Sequence, residues 1–289
     1  MGHLELPRAT RFGDLVLDVR TWGPDDGVPV VLLHGFPQSA ASWEPVAEHL
    51  AGSGLRLVAP DQRGYSARAR PDDVAAYTIE ELAGDVLALV DTLVDTLVDP
   101  QGDDRVHLVG HDWGASVAWW VAAHHPERLH SLTALSVPHL AAFGRALVTD
   151  PEQRERSAYL KLFRRPGVAE EQLLADGEAG LRAVYAGRVP QEAVERDVTL
   201  MREGALAPAL GWYRAMTDMS GLPDVRVPTT FVWGEDDQAT APAAAHGCAD
   251  HVDADYRFVP LEGVSHWSLD EVPELVASEV RRRVGTPGG

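Results

Sequence analysis

Between an apolar, β-branched run at Val106–Val109 and a helical pattern at Trp113–His125, the chain turns within Gly110-His111-Asp112-Trp113-Gly114. A strand that passes into a helix this abruptly needs a glycine-flanked turn, because side chains at the flanks would strike the turn and the packed helix. Such an elbow lifts its central side chain, here Asp112, above the carboxyl ends of the strands. It also implies neighbouring parallel strands with helices on their faces. A helix N-cap is the plainer reading of Asp112, but the two glycines and the strand–turn–helix setting favour the elbow.

The rest of the chain supports that architecture. Short apolar runs at Val28–Leu33, Leu55–Ala59, Leu132–Val137, Thr229–Trp233 and Tyr256–Val259 read as strands. Ile79–Val98 and Pro273–Val284 have apolar residues at helical spacing. Asp85, Asp91, Asp95 and Asp99 lie between the apolar positions of the first of these helices. They read as its solvated outer face, and the repeat of Thr92–Asp95 in Thr96–Asp99 carries no separate meaning. From Leu140 to about Gly221 no strand pattern occurs; the stretch is polar and helical, with breakers at Pro151, Pro166, Gly167, Pro190, Pro208 and Gly211. The expected fold is therefore α/β, a mainly parallel central sheet flanked by helices. Its core is split into 1–139 and 224–289 by a helical insert at 140–223.

Charge narrows the partners. With 25 basic and 44 acidic residues the chain carries −19, which would repel a phosphate backbone and argues against nucleic acid and anionic membrane surfaces. A lone cysteine, Cys248, excludes an intrachain disulfide and any multi-cysteine metal site. Met1–Arg11 lacks the apolar run of a signal peptide, and no stretch reaches about eighteen apolar residues, so no membrane insertion is expected. The expectation is a soluble cytoplasmic protein, with a homo-oligomer left open.

An elbow nucleophile needs a base and an acid that orients it, in the chain order nucleophile, acid, histidine. The loop after Thr229–Trp233 offers Gly234-Glu235-Asp236-Asp237, and the loop after Tyr256–Val259 offers Gly263-Val264-Ser265-His266-Trp267. Both lie at carboxyl ends of strands, where α/β sheets place their chemistry. His266 is the expected base, and Asp237 is preferred over Asp236 and Glu235 as its acid. His34-Gly35-Phe36-Pro37, directly after Val28–Leu33, is expected to supply the Phe36 N–H to an oxyanion hole, with the Trp113 N–H as its second donor. His34, Phe36 and Trp113 are also expected to line the substrate site.

These residues resemble the α/β-hydrolase superfamily and, within it, the soluble epoxide hydrolases. The resemblance spans nearly the whole chain through His34-Gly35-Phe36-Pro37, Asp61-Gln62-Arg63-Gly64-Tyr65-Ser66, the elbow and Gly263–Trp267. It implies that the insert is a cap carrying two tyrosines that bind an epoxide oxygen. Those match Tyr159, ahead of Pro166-Gly167-Val168-Ala169-Glu170, and Tyr213 in Gly211-Trp212-Tyr213-Arg214, where Gly211 replaces the family's usual Asn.

A carboxylate nucleophile suits attack at saturated carbon, because the product is an ester that water can cleave. The implied reaction converts a neutral, largely apolar epoxide and water to a vicinal diol, with no metal or organic cofactor. A haloalkane dehalogenase shares the Asp nucleophile, His base and neighbouring Trp, but Phe36 stands where such enzymes often carry a halide-binding Asn. A non-catalytic small-molecule receptor on the same scaffold is the more distant alternative.

Overall fold

The computed structural model describes residues 2–5, 14–96, 103–218 and 220–285. Eight strands form one sheet: β1 (Gly2–Glu5), β2 (Val16–Trp22), β3 (Val28–Leu33), β4 (Leu55–Pro60), β5 (Val106–His111), β6 (Leu129–Leu135), β7 (Thr229–Gly234) and β8 (Tyr256–Leu261). Their order is β1-β2-β4-β3-β5-β6-β7-β8; the β1/β2 and β2/β4 pairs are antiparallel and the others parallel.

The helices are α1 (Glu44–His49), α2 (Ile79–Thr96), α3 (Trp113–His124), α4 (Leu140–Thr149), α5 (Pro151–Arg156), α6 (Leu160–Phe163), α7 (Val168–Ala183), α8 (Gln191–Leu200), α9 (Leu206–Ala215), α10 (Pro242–His246), α11 (Ser268–Glu271) and α12 (Pro273–Val284). Helices α4 to α9 form the insert between β6 and β7. Successive β3 residues face opposite layers. Val31 and Leu33 join a core with α2 and α3, whereas Val30 and Leu32 join one with α1 and α12. No helix among the described residues is long and apolar enough to cross a membrane.

The sheet order positions the site. The chain leaves β3 for β4 on one side and returns to β5 on the other, so the loops after β3 and β5 part at a topological switch. The register sets Leu33 against Gly110, which places the His34–Pro37 loop beside the elbow.

Several sequence expectations need correction. The strand expected at Leu132–Val137 runs from Leu129 to Leu135, because Ser136 adopts φ 68° and ends it. The antiparallel strands β1 and β2 were not anticipated; β2 mixes charged and apolar residues and lacks a long apolar run. Asp85 is not on a solvated face: it is buried and receives two hydrogen bonds from Arg63, which also donates to the Ala76 carbonyl at 2.6 Å. Pairing with a buried guanidinium offsets the large cost of burying the carboxylate.

Asp91 is exposed as expected, while the Asp95 side chain, Asp99 and the end of the helix at Val98 lie outside the described residues. Pro208 and Gly211 do not break the chain but sit within α9. A Cβ at Gly211 would lie 2.7 Å from the Tyr77 ring, so the close approach of α9 to Tyr77 accounts for glycine there.

Candidate active site

The elbow is built by steric exclusion. A Cβ on Gly110 would come within 2.3 Å of the Gly114 carbonyl, and one on Gly114 within 2.2 Å of the Leu33 carbonyl. Between them Asp112 is held at φ 54°, ψ −120°, a conformation costing roughly 1–3 kcal/mol that packing must sustain. The carboxylate thus projects from the strand end toward the loop after β3. There the Phe36 N–H donates to Asp112 Oδ1 at 2.8 Å, and the main-chain N–H of Trp113 helps to favour the charged carboxylate. Gly35 allows this approach, because a Cβ there would lie 2.2 Å from that oxygen.

His266 stands between two carboxylates. Its Nδ1–H donates to Asp237 Oδ2 at 2.9 Å, and its Nε2 lies 3.4 Å from Asp112 Oδ2. Asp237 is fully buried, and its other oxygen accepts from the N–H groups of Ala239 at 2.7 Å and Thr240 at 3.0 Å. Of its two rivals, Asp236 forms an exposed ion pair with Arg188 and Glu235 faces outward. The main chain of His266 is also anchored: its carbonyl accepts from His111 Nε2 at 2.8 Å and Ser136 Oγ at 2.9 Å. Neither residue was anticipated, although His111 lies inside the elbow motif.

Electrostatics follow from this packing. Burial pulls the His266 imidazole down, but the Asp237 charge, with the hydrogen bonds to Asp112 and Asp237, more than reverses it and raises the group to about 10. Burial would raise the Asp112 carboxyl, yet the His266 partner outweighs it and holds it below its ordinary range. Among the described residues no cluster of three or more His, Cys, Asp or Glu is placed to hold a metal.

His34 must be corrected. The sequence places it in the substrate site, but it is fully buried and both ring nitrogens face main chain. Nε2 accepts from the Gln62 N–H at 3.1 Å, so Nδ1 carries the proton and donates to the Gly35 carbonyl at 3.1 Å. Burial pushes this imidazole down to about 4. It shapes the loop that presents Phe36 and does not line either cavity.

The insert brings Tyr159, at the start of α6, and Tyr213, on α9, over the elbow. Their rings meet edge to face at 6.3 Å, and both line a cavity of about 230 Å³ with Asp112, His266 and Phe36. The Trp113 and Tyr213 rings pack edge to face, with centroids 5.2 Å apart. Burial, and then the Asp112 charge, hold both phenols well above their ordinary range, so both keep their protons. A second cavity, about 340 Å³, is lined by Trp113, Ser116, Leu140, Phe143, Leu147 and Thr240 among others, and shares Asp112, Tyr159 and Ala239 with the first. The two spaces meet at the carboxylate.

Comparison with known proteins agrees with this geometry. Residues 28–273 match the alpha/beta hydrolase fold family. The chain is 30% identical to the AB hydrolase superfamily protein YfhM of Bacillus subtilis, covering 91% of this chain and 92% of that one. It is likewise 30% identical to epoxide hydrolase A of Mycobacterium tuberculosis, covering 88% of this chain and 89% of the other. A solved structure described among novel epoxide hydrolases from metagenomes of hot environments superposes with a TM-score of 0.78 at 28% identity, over 99% of this chain and 98% of that one. With its elbow aspartate, buried histidine and the length over which it aligns, the chain belongs to the epoxide hydrolase family of the α/β-hydrolase superfamily.

Proposed function

We propose that the protein opens a neutral, largely apolar epoxide to a vicinal diol through a covalent ester on Asp112. The observation that carries this reading is the placement of two protonated tyrosines and a carboxylate held by the Phe36 N–H around one cavity. Asp112 attacks an epoxide carbon while Tyr159 and Tyr213 hydrogen-bond the ring oxygen, and one of them donates its proton as the C–O bond breaks. The alkylated carboxyl no longer carries charge. His266 then loses the support of Asp112, its pKa falls, its Nε2 proton passes back to the tyrosinate left by ring opening, and the freed Nε2 can take a proton from water.

Water attacks the ester carbonyl, with the developing oxyanion held by the N–H groups of Phe36 and Trp113. Asp237 orients the imidazole and stabilises the cation that forms. The diol leaves with one oxygen from the epoxide and one from the carboxyl group. The helical insert, acting as a cap, supplies both tyrosines. The two cavities meeting at Asp112 favour an epoxide with room for a substituent on each side of the ring, and their apolar walls favour an uncharged one.

The tyrosine pair and Phe36 weigh against dehalogenation. A departing halide needs no pair of proton-donating phenols, and Phe36, which has no side-chain donor, stands where a second halide ligand would be. The complete Asp112, His266 and Asp237 set weighs against a non-catalytic receptor. Single turnover in ¹⁸O-labelled water is the test. The first diol formed should carry unlabelled oxygen from Asp112, and a product with only solvent oxygen would refute the covalent step. Halide release from a haloalkane panel without diol formation from epoxides would favour the rival.

A further inference from the structure

The catalytic acid sits on a loop that the cap holds by its main chain. Helix α5 is started by Asp150, whose carboxylate accepts from the N–H groups of Glu152 and Gln153. It carries Gln153 and Arg156 toward residues 237–241, although neither residue belongs to a recognised motif. Gln153 is fully buried, and its amide is spent mainly on this loop. Nε2 donates to the Ala239 carbonyl at 2.8 Å and to Ser157 Oγ at 2.9 Å, while Oε1 accepts from the Ala241 N–H at 2.8 Å. Arg156 donates to the carbonyls of Asp237 and Thr240.

These bonds form relays. The Ala239 carbonyl that accepts from Gln153 belongs to the same peptide group as the Thr240 N–H, which donates to Asp237 Oδ1. The next peptide group is held at both ends, its carbonyl by Arg156 and its N–H by Gln153. A peptide bonded at its carbonyl is a better N–H donor, because hydrogen bonds in a chain polarise one another. Three residues beyond Arg156 lies Tyr159. One short stretch of the cap therefore reaches both the phenol over the nucleophile and the loop of the catalytic acid.

We infer that Gln153 and Arg156 are positioning residues that fix Asp237, and through it His266, so that the seated cap assembles the base of the second half-reaction as well as covering the site. They touch no reacting atom. The alkylation step uses Asp112, the tyrosines and the oxyanion donors. Hydrolysis of the ester requires Asp237 and His266. Loosening the clamp should slow the second step and spare the first.

The kinetic arm of the test rests on the epoxide reading; the spectroscopic arm does not. Gln153→Leu and Arg156→Ala are compared with the parent protein, and Arg156→Lys serves as the conservative control. With a styrene oxide probe, single-turnover mass spectrometry should show the Asp112 ester forming within about twofold of the parent rate. Its decay should be slower by roughly 10- to 100-fold, as expected for one or two lost hydrogen bonds. Arg156→Lys should recover most of the loss.

Independently, ¹⁵N NMR of the imidazole in the substrate-free protein should show His266 titrating lower in both loosened variants. Asp237 from the acid loop and Asp112 from the elbow face that ring as anions, with neutral His111 from β5, and only the hold on Asp237 is changed. An unchanged His266 titration would overturn the inference, as would equal slowing of both steps. Arg156 is only half-buried, so its variants carry the test even if Gln153→Leu does not fold. If the parent forms no ester with the probe, the epoxide reading suffers, while the NMR arm still decides the role of the clamp.

Discussion

The loops after β3 and β8 each bury a histidine close to the same carboxylate, and the two rings are driven in opposite directions. His34 is pushed down to about 4 because its nitrogens meet main chain and little offsets its burial. His266, likewise buried, is raised to about 10 because it stands between Asp237 and Asp112. Burial alone removes a charge; carboxylates at hydrogen-bond distance restore it. The first histidine is structural, and the second is equipped to move a proton.

The largest break in this comparison is expected at His266. His266→Ala should let the Asp112 ester form but slow its hydrolysis by about 10³–10⁴-fold, so that mass spectrometry finds the adduct accumulating. Asp112→Ala should form no adduct with any epoxide. Next in size, Asp237→Asn should slow ester hydrolysis by roughly 10²–10⁴-fold and lower the His266 pKa, read by imidazole NMR. Asp112→Ala should also lower it, since one of the two anions is gone; an unchanged His266 titration would show that Asp112 gives it no support.

His34→Gln should be milder and different in kind. It disturbs the loop that carries the Phe36 N–H, which both half-reactions use. Adduct formation and decay should therefore slow together, by up to about tenfold, well short of the loss from deleting an oxyanion donor.

The same contrast shows in the pH dependence of stability. His34 titrates lower in the folded protein than in the unfolded chain, so the unfolded chain binds the extra proton between about pH 6.5 and 4. Its contribution is present above pH 6.5 and is lost as pH falls through that window. His266 has the opposite sign: its contribution is full below about pH 6.5 and is lost as pH rises toward 10. Thermal melts of His34→Gln should lose part of the acid limb, and those of His266→Ala part of the alkaline limb. Each contribution is on the order of 1 kcal/mol per pKa unit.

Much of the core was legible because its signals are local. Strand β3, the elbow, β7, β8 and α12 announce themselves through apolar runs and glycine-bounded turns within a few residues. The antiparallel edge did not, since a half-exposed strand such as β2 needs no continuous apolar run. Asp85 was misplaced because helical spacing alone does not reveal that Arg63, 22 residues earlier, lies beneath it. His34 was misread for a similar reason: its motif marks a loop near the nucleophile but not which way the ring turns. The grip of Gln153 on a loop 86 residues away left no mark in the local pattern.

The primary structure alone therefore settled the elements of the chain whose cause is short-ranged. These include the glycine-flanked Asp112, the alternation of strands and helices, the acidic charge and the placing of Asp237 and His266 in loops at strand ends. Packing decided the rest. It set which of three adjacent acids meets His266, which buried histidine keeps a charge and how the cap holds the acid loop. Those outcomes depend on burial and on distances of about 3 Å between segments far apart in the chain, where hydrogen bonds and charges act at their strongest.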